Sequence, residues 1–186
     1  MTLTHSALLV VDVQNDFLPT GALPVPDGDG VVPIINALMS RINFGGGVFM
    51  SKDWHPPNHT SFASNHNNKK PFEQQTFYVD ETPYVQTLWP DHCVQNSPGA
   101  LFAPSLQVPE NAVTILKGMD PRYDSYSAFF DNARNAQSSL QELLKKASVR
   151  TVYVCGLALD VCVLFTVMDA LDLGFETVLL LDACVS

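Results

Sequence analysis

The sequence predicts a three-layer α/β/α fold around a mainly parallel central sheet, and two features of its patterning carry that prediction. Five short runs rich in β-branched residues are continuously apolar rather than alternating, as strands covered on both faces are. Segments with helical spacing of apolar residues lie between them, so strand and helix alternate and the crossovers join parallel neighbours. With 186 residues and 46% apolar composition, the chain suits one domain, residues 1–186, whose core can hold a preorganised site.

In chain order, strands are expected at residues 7–13, 48–51, 112–116, 150–155 and 176–181. Helices are expected at residues 31–42, 138–147 and 161–173, the last stopped by Gly174. Residues 56–109 break the rhythm. Rich in Pro, Asn, His and aromatics, they are far longer than an ordinary connection, and such stretches in α/β domains usually carry function. The fifth strand leads into LLLDACVS, and a sheet of this kind normally covers its last strand, so a further strand and helix are expected beyond Ser186.

A formal net charge of -9, with Lys and Arg occurring singly or in pairs such as Lys69-Lys70 and Lys145-Lys146, argues against a nucleic-acid footprint. The four cysteines, 93, 155, 162 and 184, show neither disulfide-scaffold nor zinc-finger spacing, which points to a reducing compartment. MTLTHSALLVVDVQ lacks a basic leader, and its apolar run is only strand-length before Asp12. A soluble cytoplasmic protein that engages neither membrane nor nucleic acid is expected.

Open α/β sheets bind ligands at the carboxyl ends of their strands, and four of these ends carry chemistry. The first ends at Asp12, the second at Asp53-Trp54-His55, the third at Lys117, and the fourth leads through Gly156 to Cys162. Cys162 begins a predicted helix, where the macrodipole and free N–H groups favour a thiolate, and the small residues of GLALDVC let backbone amides face an oxyanion. The bland alternative is a buried structural cysteine, the reading that Cys155 in mid-strand keeps. Asp12, after a wholly apolar strand, must be paired, protonated or functional; it is either a base for the thiol or a turn carboxylate. Lys117 is either the cation that lowers the thiol pKa or a strand-end surface lysine.

Asp53 and His55, two apart in an extended segment, point the same way and can grip one ion, with His92 of Trp89-Pro90-Asp91-His92 approaching from the irregular segment. One carboxylate and two imidazoles suit Zn, Fe or Mn with water in the open positions. His59 is a further candidate, as fourth ligand or as a donor behind the ligands; His66 reads as a loop histidine.

Taken together, VDVQNDF at 11–17, KDWHP at 52–56, WPDHC at 89–93, Lys117-Gly118 with DSYSAF at 124–129, and GLALDVCV at 156–163 resemble the nicotinamidases of the isochorismatase-like cysteine-hydrolase superfamily, over essentially the whole chain. The superfamily also contains isochorismatases and N-carbamoyl amidohydrolases. The resemblance implies Asp12, Lys117 and Cys162 as catalytic residues, and Asp53, His55 and His92 as ligands of one divalent metal, Zn before Fe or Mn. It implies a cis peptide between Leu157 and Ala158, and an oxyanion hole from the amides of Ala158 and Cys162. The implied reaction is hydrolysis of nicotinamide to nicotinate and ammonia through a Cys162 thioester, in NAD salvage, by a homo-oligomer. The metal would hold the pyridine ring, with Phe17, Trp89 and Tyr126 around it. Leu159 departs from the family's usual Thr. The rival readings are another carboxamide or N-carbamoyl amidohydrolase, an isochorismatase, or a metal-binding or interaction module that has lost catalysis.

Overall fold

The computed structural model describes residues 1–79 and 81–186. Its elements, in chain order, are β1 (Thr2–Leu3), β2 (Ser6–Val11), α1 (Val31–Arg41), β3 (Asn43–Phe44), β4 (Val48–Asp53), β5 (Gln74–Val79), β6 (Thr82–Thr87), β7 (Val113–Lys117), α2 (Leu140–Lys146), β8 (Thr151–Gly156), α3 (Leu164–Asp172) and β9 (Glu176–Cys184). Five strands form one parallel sheet in the order β7-β4-β2-β8-β9, within a three-layer α/β/α arrangement.

That order places a crevice. From β2 the chain winds outward through β4 to β7, then returns to the other side of β2 for β8 and β9, so the winding reverses between β2 and β8. Helices leaving the two strands in opposite senses open a cleft at their carboxyl ends, the usual ligand site of such sheets. The strand β2 is buried along its whole length, as its unbroken apolar run requires. It ends at Val11 rather than Val13, because Asp12 turns into the left-handed region at φ 49°. Gly156, paired with Val11 across the switch point, has φ 120°, and a side-chain carbon there would overlap the Val11 carbonyl; only glycine lets the two strand ends close.

Three expectations are corrected. The fifth strand is not a buried strand: β9 lies at the sheet edge, alternates in exposure, and runs on to Cys184 through an irregularity in its register with β8. The helix expected over residues 161–173 is split into a π turn, Leu159–Val163, and the α-helix α3, so Cys162 sits in a wide turn ahead of the helix. Within residues 56–109, an antiparallel hairpin of β5 and β6 was not foreseen; QQTFYV and TPYVQT lack the dense apolar pattern of the central strands.

Candidate active site

Strand ends bring Asp12, Lys117 and Cys162 together beneath one cavity. Lys117 closes β7 opposite Asp53 of β4, and its ammonium is buried. Nζ lies 2.8 Å from Asp12 Oδ2 and 2.5 Å from Asp53 Oδ1, and donates to Ser125 O at 2.8 Å and toward Cys162 Sγ at 3.5 Å. Asp12, fully buried, accepts a 2.7 Å hydrogen bond from Ser51 Oγ at Oδ1. Its Oδ2 is in ion-pair contact with Lys117 and, among the described residues, accepts no other hydrogen bond. Oxygens of Asp12 and Asp53 and the Cys162 sulfur lie within 4.8 Å of one another. A base beside a thiol, and a cation touching both, are the parts of an activated nucleophile.

Burial shapes the protonation states. It raises the Asp12 carboxyl, with Lys117 opposing and Asp53 adding to the rise. Burial also drives the Cys162 thiol well above its ordinary value; Lys117 pulls it down, while Asp12 and Asp53 push it further up. Burial and the two carboxylates thus favour the neutral thiol, and Lys117 favours the thiolate. Asp12 stands within reach of the Cys162 proton. Burial opposes the Lys117 charge, but Asp12 and Asp53 outweigh it and hold its pKa well above the ordinary value.

The second constellation adjoins the first through Asp53. His55 Nε2 and His92 Nε2 stand 3.6 and 3.7 Å from Asp53 Oδ2. Each ring is fixed from behind, His55 Nδ1 by Gly118 O at 2.9 Å and His92 Nδ1 by Pro90 O at 2.7 Å. A carbonyl accepts, so each Nδ1 carries the hydrogen and each Nε2 presents a lone pair toward the same oxygen. The three ligand atoms lie within 4.8 Å of one another on buried side chains, a set suited to a divalent cation. Burial raises the Asp53 carboxyl, but Lys117 and His55 more than reverse this and hold it well below the ordinary value, so it is ionised and ready to ligate.

Gly118, at φ 63°, is pressed so closely on the His55 ring that a side-chain carbon would collide with it. His59 stands apart from this set. Its ring lies 4.2 Å from that of His55, it contacts Ser61 Oγ at 2.6 Å and Tyr123 O at 3.3 Å, and it joins His55 and Asp124 in a neighbouring group. Burial lowers its pKa to about 4.

A cavity of about 200 Å³ opens above both constellations. It is smaller than the roughly 300–1,000 Å³ of pockets for drug-sized ligands, and so suits a single ring. Phe17, Trp89 and Tyr126 line it with Cys162, Asp53, His92 and Ala158. The Ala158 N–H follows a cis peptide from Leu157 and has no hydrogen-bond acceptor among the described residues.

Several residues that build this site were not singled out from the sequence. Gln14 clamps the end of β4, donating to Asp53 O at 2.8 Å and accepting from Asp53 N at 2.7 Å; Asp16 Oδ2 accepts from Cys93 N at 2.7 Å, beside His92. Alternation does not account for them, because Asp12 turns into the left-handed region and Asn15–Phe17 form a 3-10 turn. Asp124 and Val25 also line the cavity; Asp124 opens the DSYSAF motif but was given no role there, and nothing in the surroundings of Val25 marked it.

A doubly wound sheet with a buried thiol, carboxylate and ammonium gathered at its switch point holds the groups that a hydrolase can use. Residues 6–186 match the isochorismatase domain model, and the chain belongs to that family. It is 48% identical over 179 residues to the nicotinamidase of Escherichia coli (strain K12), covering 96% of this chain and 82% of that one. Among solved structures it is similar to the yeast nicotinamidase bound to the inhibitor nicotinaldehyde, with a TM-score of 0.92 and 32% identity over 97% of this chain and 88% of that one. It is also similar to the pyrazinamidase of Pyrococcus horikoshii in complex with zinc, with a TM-score of 0.77 and 37% identity over 98% and 87% of the two chains.

Proposed function

We propose that this protein hydrolyses nicotinamide to nicotinate and ammonia through a Cys162 thioester. The observation that carries the reading is the shared wall of the cavity: Cys162 and the Asp53, His92 pair line the same single-ring space, one suited to attack a carboxamide and the other to hold the ring that bears it. The similarity to nicotinamidases over nearly the whole chain supports it.

Asp12 accepts the Cys162 proton as sulfur attacks the carboxamide carbon, with Lys117 offsetting the charge that develops on the thiolate. The amides of Ala158 and Cys162 receive the oxyanion, a contribution of about 3 kcal/mol per donor in comparable sites. Asp12 returns the proton to nitrogen as the C–N bond breaks and ammonia leaves. A water then loses a proton to Asp12, attacks the thioester, and the C–S bond breaks to give nicotinate and the thiol. When bound by Asp53, His55 and His92, a divalent metal supplies a Lewis-acid anchor for the pyridine nitrogen; the N₂O donor set and the zinc-bound relative support zinc. Phe17, Trp89 and Tyr126 enclose the ring.

No helix among the described residues is long and apolar enough to cross a membrane, and we place the reaction in the cytoplasm, in NAD salvage, carried out by a homo-oligomer of single-domain chains. Ammonia release from nicotinamide tests the reading: wild type turns over and Cys162→Ala does not. Equal turnover by the two proteins would end the covalent mechanism, and inactivity of wild type on nicotinamide alongside turnover of an N-carbamoyl substrate would move the protein to another branch of the family.

A further inference from the structure

Gln86 is a side chain that the mechanism above leaves unused, and its surroundings are unusual. It belongs to β6, in a hairpin that does not join the central sheet and whose other β6 residues are mostly exposed, yet Gln86 itself is 0% exposed. A buried primary amide must find partners for two donors and an acceptor. Gln86 finds them in the pocket wall. Its Nε2 lies 2.8 Å from Asp124 Oδ2, 3.0 Å from Tyr126 Oη and 2.8 Å from Thr87 O, while Oε1 accepts from Asn132 Nδ2 at 3.0 Å.

Asp124 and Tyr126 both line the cavity, on a stretch, residues 118–139, that contains no helix or strand. Regular hydrogen bonding therefore does not hold them. What holds them on the catalytic side is Lys117 Nζ donating to Ser125 O between them. On the outer side it is Gln86, helped by Asn132, which accepts from Tyr126 N at 2.9 Å and donates its own N–H to Asp124 O at 2.7 Å. Trp89 Nε1 completes the arrangement, donating to Tyr126 Oη at 3.2 Å.

We infer that Gln86 is a positioning residue for substrate binding: the hairpin supplies one buried amide that fixes Asp124 and Tyr126 against the ring. This rests on the nicotinamidase reading of the same cavity. Because Lys117 keeps its own contacts with Asp12, Asp53 and Cys162, removal of the Gln86 amide loosens the ring wall and spares the chemistry. The signature is a split between KM and kcat, which a merely structural residue would not produce.

The experiment is steady-state nicotinamide hydrolysis by wild type, Gln86→Leu, Gln86→Glu and, as hairpin control, Val85→Thr at an exposed position of the same strand. For Gln86→Leu, KM rises about tenfold or more, as loss of a charge-assisted hydrogen bond does, while kcat stays within about threefold of wild type. The isosteric Gln86→Glu, which sets a carboxylate against Asp124, raises KM at least as much and decides the matter if the leucine variant does not fold. Val85→Thr keeps the wild-type KM. A wild-type KM in both Gln86 variants, or a loss confined to kcat, would overturn the inference while leaving the reaction intact. Absence of turnover by wild type would instead overturn the parent reading, and this one with it.

Discussion

The carboxyl edge of the central sheet and the irregular stretch of residues 56–109 meet at one cavity, but they hold their side chains by different means. Asp12, Asp53 and Lys117 stand at or next to the ends of paired parallel strands, where register alone sets Asp53 opposite Lys117. His92, Trp89 and Gln86 come from the other region and are placed largely by local and side-chain hydrogen bonds: the Cys93 amide donates to Asp16, the His92 ring bonds Pro90 O, and Gln86 bonds Asp124, Tyr126 and Asn132. In the proposed reaction the sheet edge carries the groups that make and break bonds, together with Asp53 of the metal set, and the irregular stretch carries groups that face the ring. Rigid elements thus hold the atoms with the tightest geometric demands, and loop variation remains available for substrate choice.

Substitutions on the two sides should separate accordingly. The largest effect is expected at the sheet edge: Asp12→Asn removes the base for Cys162 and lowers kcat by about 10²–10⁴-fold, with metal content unchanged by elemental analysis. Comparable kcat in this variant would break the division between the regions. A smaller effect is expected where the regions touch. Gly118→Ala drives a methyl into the His55 ring at a backbone φ of 63°, and should weaken metal affinity by about 10–100-fold, measured by competition with a chelator. Saturating metal should restore most ammonia release, because Asp12, Lys117 and Cys162 do not depend on that ring.

The two regions also differed in how far the sequence disclosed them. The apolar runs of β2, β4 and β8 are dictated by burial on both faces, so these strands and the chemical residues at their ends could be read without a structure; β7, also expected as a buried strand, lies at the other sheet edge with Val113, Thr114 and Leu116 exposed. The β5–β6 hairpin could not, since its strands are polar and mostly exposed and owe their pairing to context. Gln86 was missed for the same reason, and Asp124, though it opens the DSYSAF motif, was given no role. Their roles come from contacts across 38 residues of chain, which local patterning does not record. The surroundings of Cys162 were legible only in part: the Asp12 and Lys117 partners could be read from strand ends, whereas its burial beside two carboxylates could not.

The account turns on a covalent bond to one sulfur. Intact-protein and peptide mass spectrometry after rapid acid quench of wild type with excess nicotinamide tests it directly. The predicted result is a nicotinoyl adduct on the peptide that contains Cys162, absent from Cys162→Ala and enriched when thioester hydrolysis is slowed. Turnover without any adduct, or an adduct on Cys93, Cys155 or Cys184 instead, would contradict it.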